Sequence, residues 1–118
     1  MATSTEALRY NSGKIRLSLV PSSLAWYTGA VLTYGAIKYA DHNWRKGFAW
    51  SDLIDSLERH LEDFKSGIDF DAESGLPQLA HISTNVAFLI EHFDKGLGID
   101  DRIKEGSPKE SLTFNDPR

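Results

Sequence analysis

The chain has 118 residues, a net charge of -4, and 41% hydrophobic against 25% charged side chains, the balance of one globular domain with a modest core. That acidic balance argues against broad binding of polymeric nucleic acid, while leaving room for a local basic pocket. Cysteine is absent, so disulfides and thiolate metal sites are excluded; no apolar run is long enough to span a bilayer, and the first ten residues lack the apolar core of a signal peptide.

Residues 1–12 are small and polar and are expected to fray. In the stretch Gly13–Pro21, Ile15, Leu17 and Leu19 alternate with Lys14, Arg16 and Ser18. This is an extended pattern stopped by proline, with both cations on one side. Lys14 and Arg16 are then either a solvated face or a phosphate clamp.

A first helix is expected from Ser22 or Ser23, either of which can cap it, through the run ending at Ala40. Lys38 is its single charge, and a helix apolar all round is buried in a core or against a partner. Ala25, Gly29, Thr33, Ala36 and Ala40 form a small-residue ridge that admits a close neighbour. Residues 41–50 read as a loop rich in aromatics. There Asn43, Trp44 and Lys46 either grip a base and its phosphates or cap the core, whereas Trp50 reads as a core cap.

A second helix is expected to start at Ser51 as cap, with Leu53, Leu57, Leu61 and Phe64 as its apolar stripe. His60 falls at the edge of that stripe beside Arg59; Asp55, Glu58 and Glu62 lie opposite, as a solvated face or as metal ligands. The bend from Gly67 to Gly75 carries Asp69, Asp71 and Glu73, which repel one another unless a cation or basic group compensates. A third helix opens around Ser74–Pro77, with Leu79, Ile82, Val86, Leu89, Ile90 and Phe93 as its core stripe. His81, Asn85, Phe88 and His92 share another face, which lines a pocket or meets another subunit. Gly96 suits the helix end, and residues 97–118 read as a mobile or draped tail. The expected fold is therefore all-α: a small bundle of three main helices spanning residues 13–96, with a basic extended N-terminal arm and a flexible C-terminal tail.

The ordered strings GKIRLSLVP, TYGAIKYADHNWRKG, SLERHLEDFKSGIDFDAESGLPQLAH and NVAFLIE resemble the small phage and bacterial dATP/dGTP diphosphohydrolase family (MazZ-type, related to the MazG-like helical nucleotide pyrophosphohydrolases), over roughly residues 12–93. Arg59-His60 followed by Gly67, Asp71, Glu73-Ser74-Gly75 and Ala80-His81 is the more specific part, and Lys38-Tyr39 with Asn43-Trp44 and Lys46-Gly47 adds to it. The resemblance implies an all-α fold, a divalent metal such as Mg²⁺, Mn²⁺ or Co²⁺, and hydrolysis of a purine deoxynucleoside triphosphate to monophosphate and pyrophosphate. The wider MazG-like pattern sets paired glutamates on one helix and Glu-x-x-Asp on the next; here His81 and Asn85 stand where acids belong, so metal ligation is expected from helix two and the Asp69–Glu73 bend.

On that basis Asp71 and Glu73 are the expected metal ligands, and His60, Arg59 and His81 the catalytic groups. Lys14, Arg16, Lys38, Asn43, Trp44 and Lys46 are expected to bind substrate. The expected setting is the cytoplasm, that of the host for a phage-encoded chain, with a nucleotide as small-molecule partner and a closed homo-oligomer as assembly. A protein that sequesters a nucleotide or nucleotide-derived signal without turnover is the alternative, and a purely structural oligomer is a third reading.

Overall fold

The structure, a computed structural model, describes residues 6–10, 12–105 and 112–118. The expectations for residues 1–5 and for the middle of the tail therefore lie outside the described residues. Three helices organise the chain: α1 (Ser22–Lys38), α2 (Trp50–Lys65) and α3 (Gln78–Lys95). Among the described residues there is no strand, only two isolated bridges, Ala49 with Ile99 and Phe70 with Pro77. The fold is all-α. No helix is long and apolar enough to cross a membrane among the described residues.

The middle of the structure is α3, which packs on α1 with one side and on α2 with another. A wedge-shaped gap is left between α1 and α2, floored by α3. Small and hydroxyl side chains make the α1 contact: Thr28 Oγ1 and Ser83 Oγ are 2.9 Å apart. This contact lies beside the expected small-residue ridge and not on it: Ala25, Thr33 and Ala40 are exposed, and a Cβ added at Gly29 would meet open space.

The apolar stripe expected to bury α3 does not do so. Leu79, Val86, Ile90 and Phe93 are exposed, Phe93 by 75%. The buried face instead carries Gln78, Ala80, Thr84, Asn85 and His92. Buried polar groups are tolerable only when bonded, and these are. Thr84 Oγ1 donates to the Ala80 carbonyl at 2.8 Å, and Asn85 Nδ2 to Ser56 Oγ and the His81 carbonyl, both at 3.1 Å. Leu53 and Ala80 are the buried apolar side chains among the described residues. Nor is α1 the hub of a core: it has no fully buried residue, and Trp26 and Ile37 are 78% and 84% exposed.

α1 begins at Ser22 as expected, but the helix caps differ from expectation. Pro21 precedes α1 and Ala49 precedes α2, and neither end has a side-chain cap of its own. Ser22 and Ser51 lie inside the helices. The orphan amide of Ser51 is satisfied from far along the chain: Asp101 accepts from the Ser51 N–H at 2.9 Å and from its hydroxyl. This carboxylate at a helix N-terminus also complements the helix dipole.

Asp101 belongs to a segment tied down from Leu97 onward. The Trp50 indole donates to the Leu97 carbonyl at 2.8 Å, and the Trp50 N–H to Ile99 O at 2.9 Å. Ile99 N–H donates to Phe48 O at 3.2 Å, and the Arg102 guanidinium sits over the Trp50 ring. Fully buried His92 locks the same loop: its Nδ1 donates to the Phe88 carbonyl at 2.7 Å and its Nε2 accepts from Phe48 N–H at 3.0 Å. Before α1 the arm is not extended throughout, because Leu17–Leu19 close one turn of 3₁₀ helix.

Candidate active site

The gap between α1 and α2 is a cavity of about 470 Å³, within the size range of small-molecule sites. Three groups of side chains line it.

The first group is two stacked imidazoles with a carboxylate. His60, on α2, and His81, one turn into α3, lie ring on ring, with centroids 4.4 Å apart and planes within 8°. Asp71 reaches both: its Oδ1 is 4.0 Å from His60 Nδ1 and its Oδ2 is 3.7 Å from His81 Nε2. The loop before α3 holds Asp71 in place. Its N–H donates to Leu76 O, Gly75 N–H donates back to its carbonyl, and Ser74 N–H donates to its Oδ2, each at 2.8 Å. Gly75 has φ of +73°, a conformation glycine adopts without cost. Each imidazole has a second neutral partner: Gln78 Oε1 lies 2.7 Å from His60 Nδ1, and Ser74 Oγ 2.7 Å from His81 Nε2.

Charges in this group are coupled. Burial alone would push the Asp71 carboxyl up, but Ser74's backbone and side-chain groups, then the charges available on His81 and His60, outweigh it and hold it below its ordinary range. Burial, then repulsion from His60, lowers the His81 imidazole; the Asp71 and Glu73 charges oppose this and lose. The His81 ring therefore resists taking a second proton.

The second group is aromatic. Trp44 sits in a 3₁₀ turn, Asn43–Lys46, entered through His42 with φ of +58°. Its ring meets Phe88 at 5.2 Å between centroids, and Phe88 meets Phe48 at 6.0 Å. Arg45 stacks over the Trp44 ring at 4.4 Å, leaving an amphipathic wall with Asn43 beside it.

The third group is an ion pair, Lys38 Nζ to Glu73 Oε1 at 2.6 Å, both half to mostly exposed. The Glu73 hydrogen bond, then Tyr39, raises the Lys38 amine well above its ordinary value.

His60, His81, Lys38, Asn43, Trp44, Asp71 and Glu73 thus line one cavity. Lys14, Arg16, Lys46 and Arg59 do not line it; all four are exposed elsewhere on the chain. Asp55, Glu58 and Glu62 form a solvated face of α2. Gln78 was not singled out from the sequence, and Ser74 only within the Glu73-Ser74-Gly75 string, with no role of its own. The available signal was position: a glutamine opening α3, three residues before a histidine, and a serine between two turn residues of an acidic bend.

The expected metal ligands do not form a cage. Glu73 is engaged by Lys38, the imidazole nitrogens nearest Asp71 are bonded to Gln78 and Ser74, and among the described residues no three His, Asp or Glu side chains group so as to hold an ion. The donor set of this chain alone does not fit a resident hard divalent cation, which requires several converging oxygens.

A family model described as dATP/dGTP diphosphohydrolase, N-terminal, matches residues 4–102. The chain belongs to that family. A curated relative, the dATP/dGTP diphosphohydrolase of Salmonella phage PMBT28, is 30% identical over 95 residues, covering 80% of this chain. The chain spans about a third of that relative's length, 32%. No solved structure matches. Every residue that lines the cavity falls inside the segment the family model covers.

Proposed function

We propose that the cavity takes a purine deoxynucleoside triphosphate and hydrolyses it to the monophosphate and pyrophosphate. The observation that carries this reading is the joining of a stacked His60–His81 pair, braced by Asp71, to an aromatic wall and a lysine in one cavity. Each part has a task. Trp44, backed by Phe88, offers a π-face for the base when Arg45, which lies over the ring, gives way, and Asn43 can hydrogen-bond its edge. Lys38 can exchange Glu73 for a phosphate oxygen. An imidazole removes a proton from the attacking water, and the nearby Asp71 charge favours the imidazolium that results. Bond making at the α-phosphorus and departure of pyrophosphate then need mainly positioning and charge neutralisation.

Turnover is expected to require a divalent cation. Since the chain builds no cage, the ion is proposed to arrive on the triphosphate, as Mg²⁺ commonly does with one or two protein carboxylates as supplement. Asp41, Asp71 and Glu73 are the carboxylates that line the cavity, and Asp71 and Glu73 are the pair proposed to meet such a complex.

Assembly is part of the same reading. Trp26, Ile37 and Tyr39 around α1, and Ile90 and Phe93 on α3, expose more apolar surface than an isolated domain of this size tolerates well. We propose a closed homo-oligomer that covers α1. Sites near subunit boundaries would give Lys14 and Arg16 a cavity that their own chain does not bring to them.

Hydrolysis in ¹⁸O-water with dATP or dGTP tests the reaction: label in the monophosphate alone supports attack at the α-phosphorus. Label in pyrophosphate contradicts that position of attack. Stoichiometric retention of intact nucleotide would make the protein a sequestering one instead.

A further inference from the structure

We propose that Gln78 fixes the tautomer of His60, leaving Nε2 as the nitrogen that takes the proton from water. Gln78 is a positioning residue in this account, and the catalytic half rests on the hydrolytic reading of the cavity.

Gln78 opens α3 and is 1% exposed, although it is polar. Its backbone is held on the loop side by a bond from its N–H to Asp69 O at 2.8 Å, next to the bridge between Phe70 and Pro77. Its side chain makes one contact of consequence for the cavity: Oε1 lies 2.7 Å from His60 Nδ1. An amide oxygen only accepts, so Nδ1 must carry the hydrogen. A neutral imidazole has one N–H, so Nε2 then holds the lone pair. Among the described residues His60 Nε2 has no hydrogen-bond partner, and His60 lines the cavity. The stack on His81 fixes the plane of the ring.

Neutral imidazole in water favours the opposite tautomer, with hydrogen on Nε2. The buried glutamine therefore reverses a default preference, which is a specific reason for a polar side chain at a buried position that a leucine would fill. In the step this arrangement serves, the water oxygen bonds to the α-phosphorus and the bond from that phosphorus to the α,β-bridging oxygen breaks. Pyrophosphate leaves with the bridging oxygen and its electron pair. One water proton goes to Nε2, and the imidazolium formed donates through Nδ1 to Gln78 while Asp71 lies 4.0 Å away.

The test uses the full chain with isotope-labelled histidine, by ¹³C and ¹⁵N NMR at pH ~9, where ordinary imidazoles are neutral. The His60 signals are assigned by their loss in His60→Gln. In the wild type, His60 is expected as the Nδ1–H tautomer. Gln78→Glu, whose carboxylate also only accepts, keeps it. Gln78→Leu moves His60 toward Nε2–H, and kcat falls roughly 10- to 100-fold, the lower part of the range for losing a general base. KM stays within about threefold, because a positioning loss acts on the transition state. Should Gln78→Leu not fold, Gln78→Met takes its place, and the wild-type spectrum already decides the tautomer.

Three results overturn the proposal: Nε2–H in the wild type, which means that the amide presents its nitrogen; no change of tautomer in Gln78→Leu; or a changed tautomer with kcat intact. The spectra need no substrate, so a protein with the Nδ1–H tautomer and no hydrolysis would sink the reaction and leave the tautomer assignment standing.

Discussion

Lys38 Nζ and Glu73 Oε1 lie 2.6 Å apart, joining the end of α1 to the loop before α3 at the exposed rim of the cavity. A lysine held by a carboxylate must be shared or released when a triphosphate enters. On the proposed reading, Glu73 then competes with the ligand for Lys38.

Glu73→Gln removes the competitor but keeps the size of the side chain. The expected outcome is several-fold tighter binding of a non-hydrolysable purine triphosphate by calorimetry, and Lys38→Ala weakens it about tenfold or more, as for loss of a charge-assisted contact. Both effects shrink as salt rises, because the pair is exposed. Weaker binding in Glu73→Gln would instead favour a direct role for Glu73 in holding a nucleotide-borne cation.

Stability should depend on pH through the histidine stack. The His81 imidazole is lowered from its ordinary 6.5 by burial and by His60. Between the folded and unfolded values the unfolded chain binds more protons, so stability is full above pH 6.5 and falls on acidification. Asp71 lies below its ordinary 3.8, so its contribution is present above that pH and is lost as pH drops further. Thermal melts from pH 8 to 3 are expected to fall in two stages, and His81→Gln should flatten the upper one while Asp71→Asn flattens the lower. Identical profiles for His81→Gln and wild type would contradict the burial of that ring.

The segment after α3 is fastened through a backbone contact that only glycine permits. A Cβ on Gly98 would sit 2.0 Å from Phe48 O, and the residue has φ of +66°. Gly67 has φ of +85° but open space around it. Gly67→Ala should cost about 1 kcal/mol for the left-handed conformation alone. Gly98→Ala should cost about 3 kcal/mol or more, because it also releases the Leu97–Arg102 segment from α2. Equal melting temperatures for the two variants would remove the segment from the fold's support.

The sequence was most readable where function concentrates chemistry that packing does not need. His60, Asp71 and His81 stood out as polar groups at a helical junction, and they meet in space. The burial pattern departs from the periodicity, which does not say which face of a helix lies inside. In α3 the apolar stripe through Val86, Ile90 and Phe93 points outward, and the face of Gln78, Thr84, Asn85 and His92 points inward. That inversion is possible because each of those polar groups finds a partner from another turn or element, such as Ser56 for Asn85 and Phe48 for His92. Such pairings can span 50 residues or more, as with Ser51 and Asp101 or Thr28 and Ser83, and leave no local signature. Ser51 was a fair cap candidate on local chemistry; Asp101 does that task from the far side of α3.

Trp44 gives a test of the binding half of the account. On the proposed reading a base replaces Arg45 over the Trp44 ring, with Phe88 behind it at 5.2 Å. Trp44→Ala should cost about 1–3 kcal/mol of nucleotide affinity, and Trp44→Phe much less, by calorimetry. Unchanged affinity in Trp44→Ala would move the base away from the aromatic wall.

The central claim is that one cavity both binds and hydrolyses a purine deoxynucleoside triphosphate. A ³¹P NMR time course with dGTP or dATP and Mg²⁺, run on wild type beside His60→Asn, tests it most directly. The account predicts loss of the β-phosphate signal and growth of monophosphate and pyrophosphate in the wild type. In His60→Asn it predicts a rate lower by roughly 10²-fold or more, with affinity nearly kept. Intact triphosphate in the wild type, or full-rate hydrolysis by His60→Asn, would contradict it.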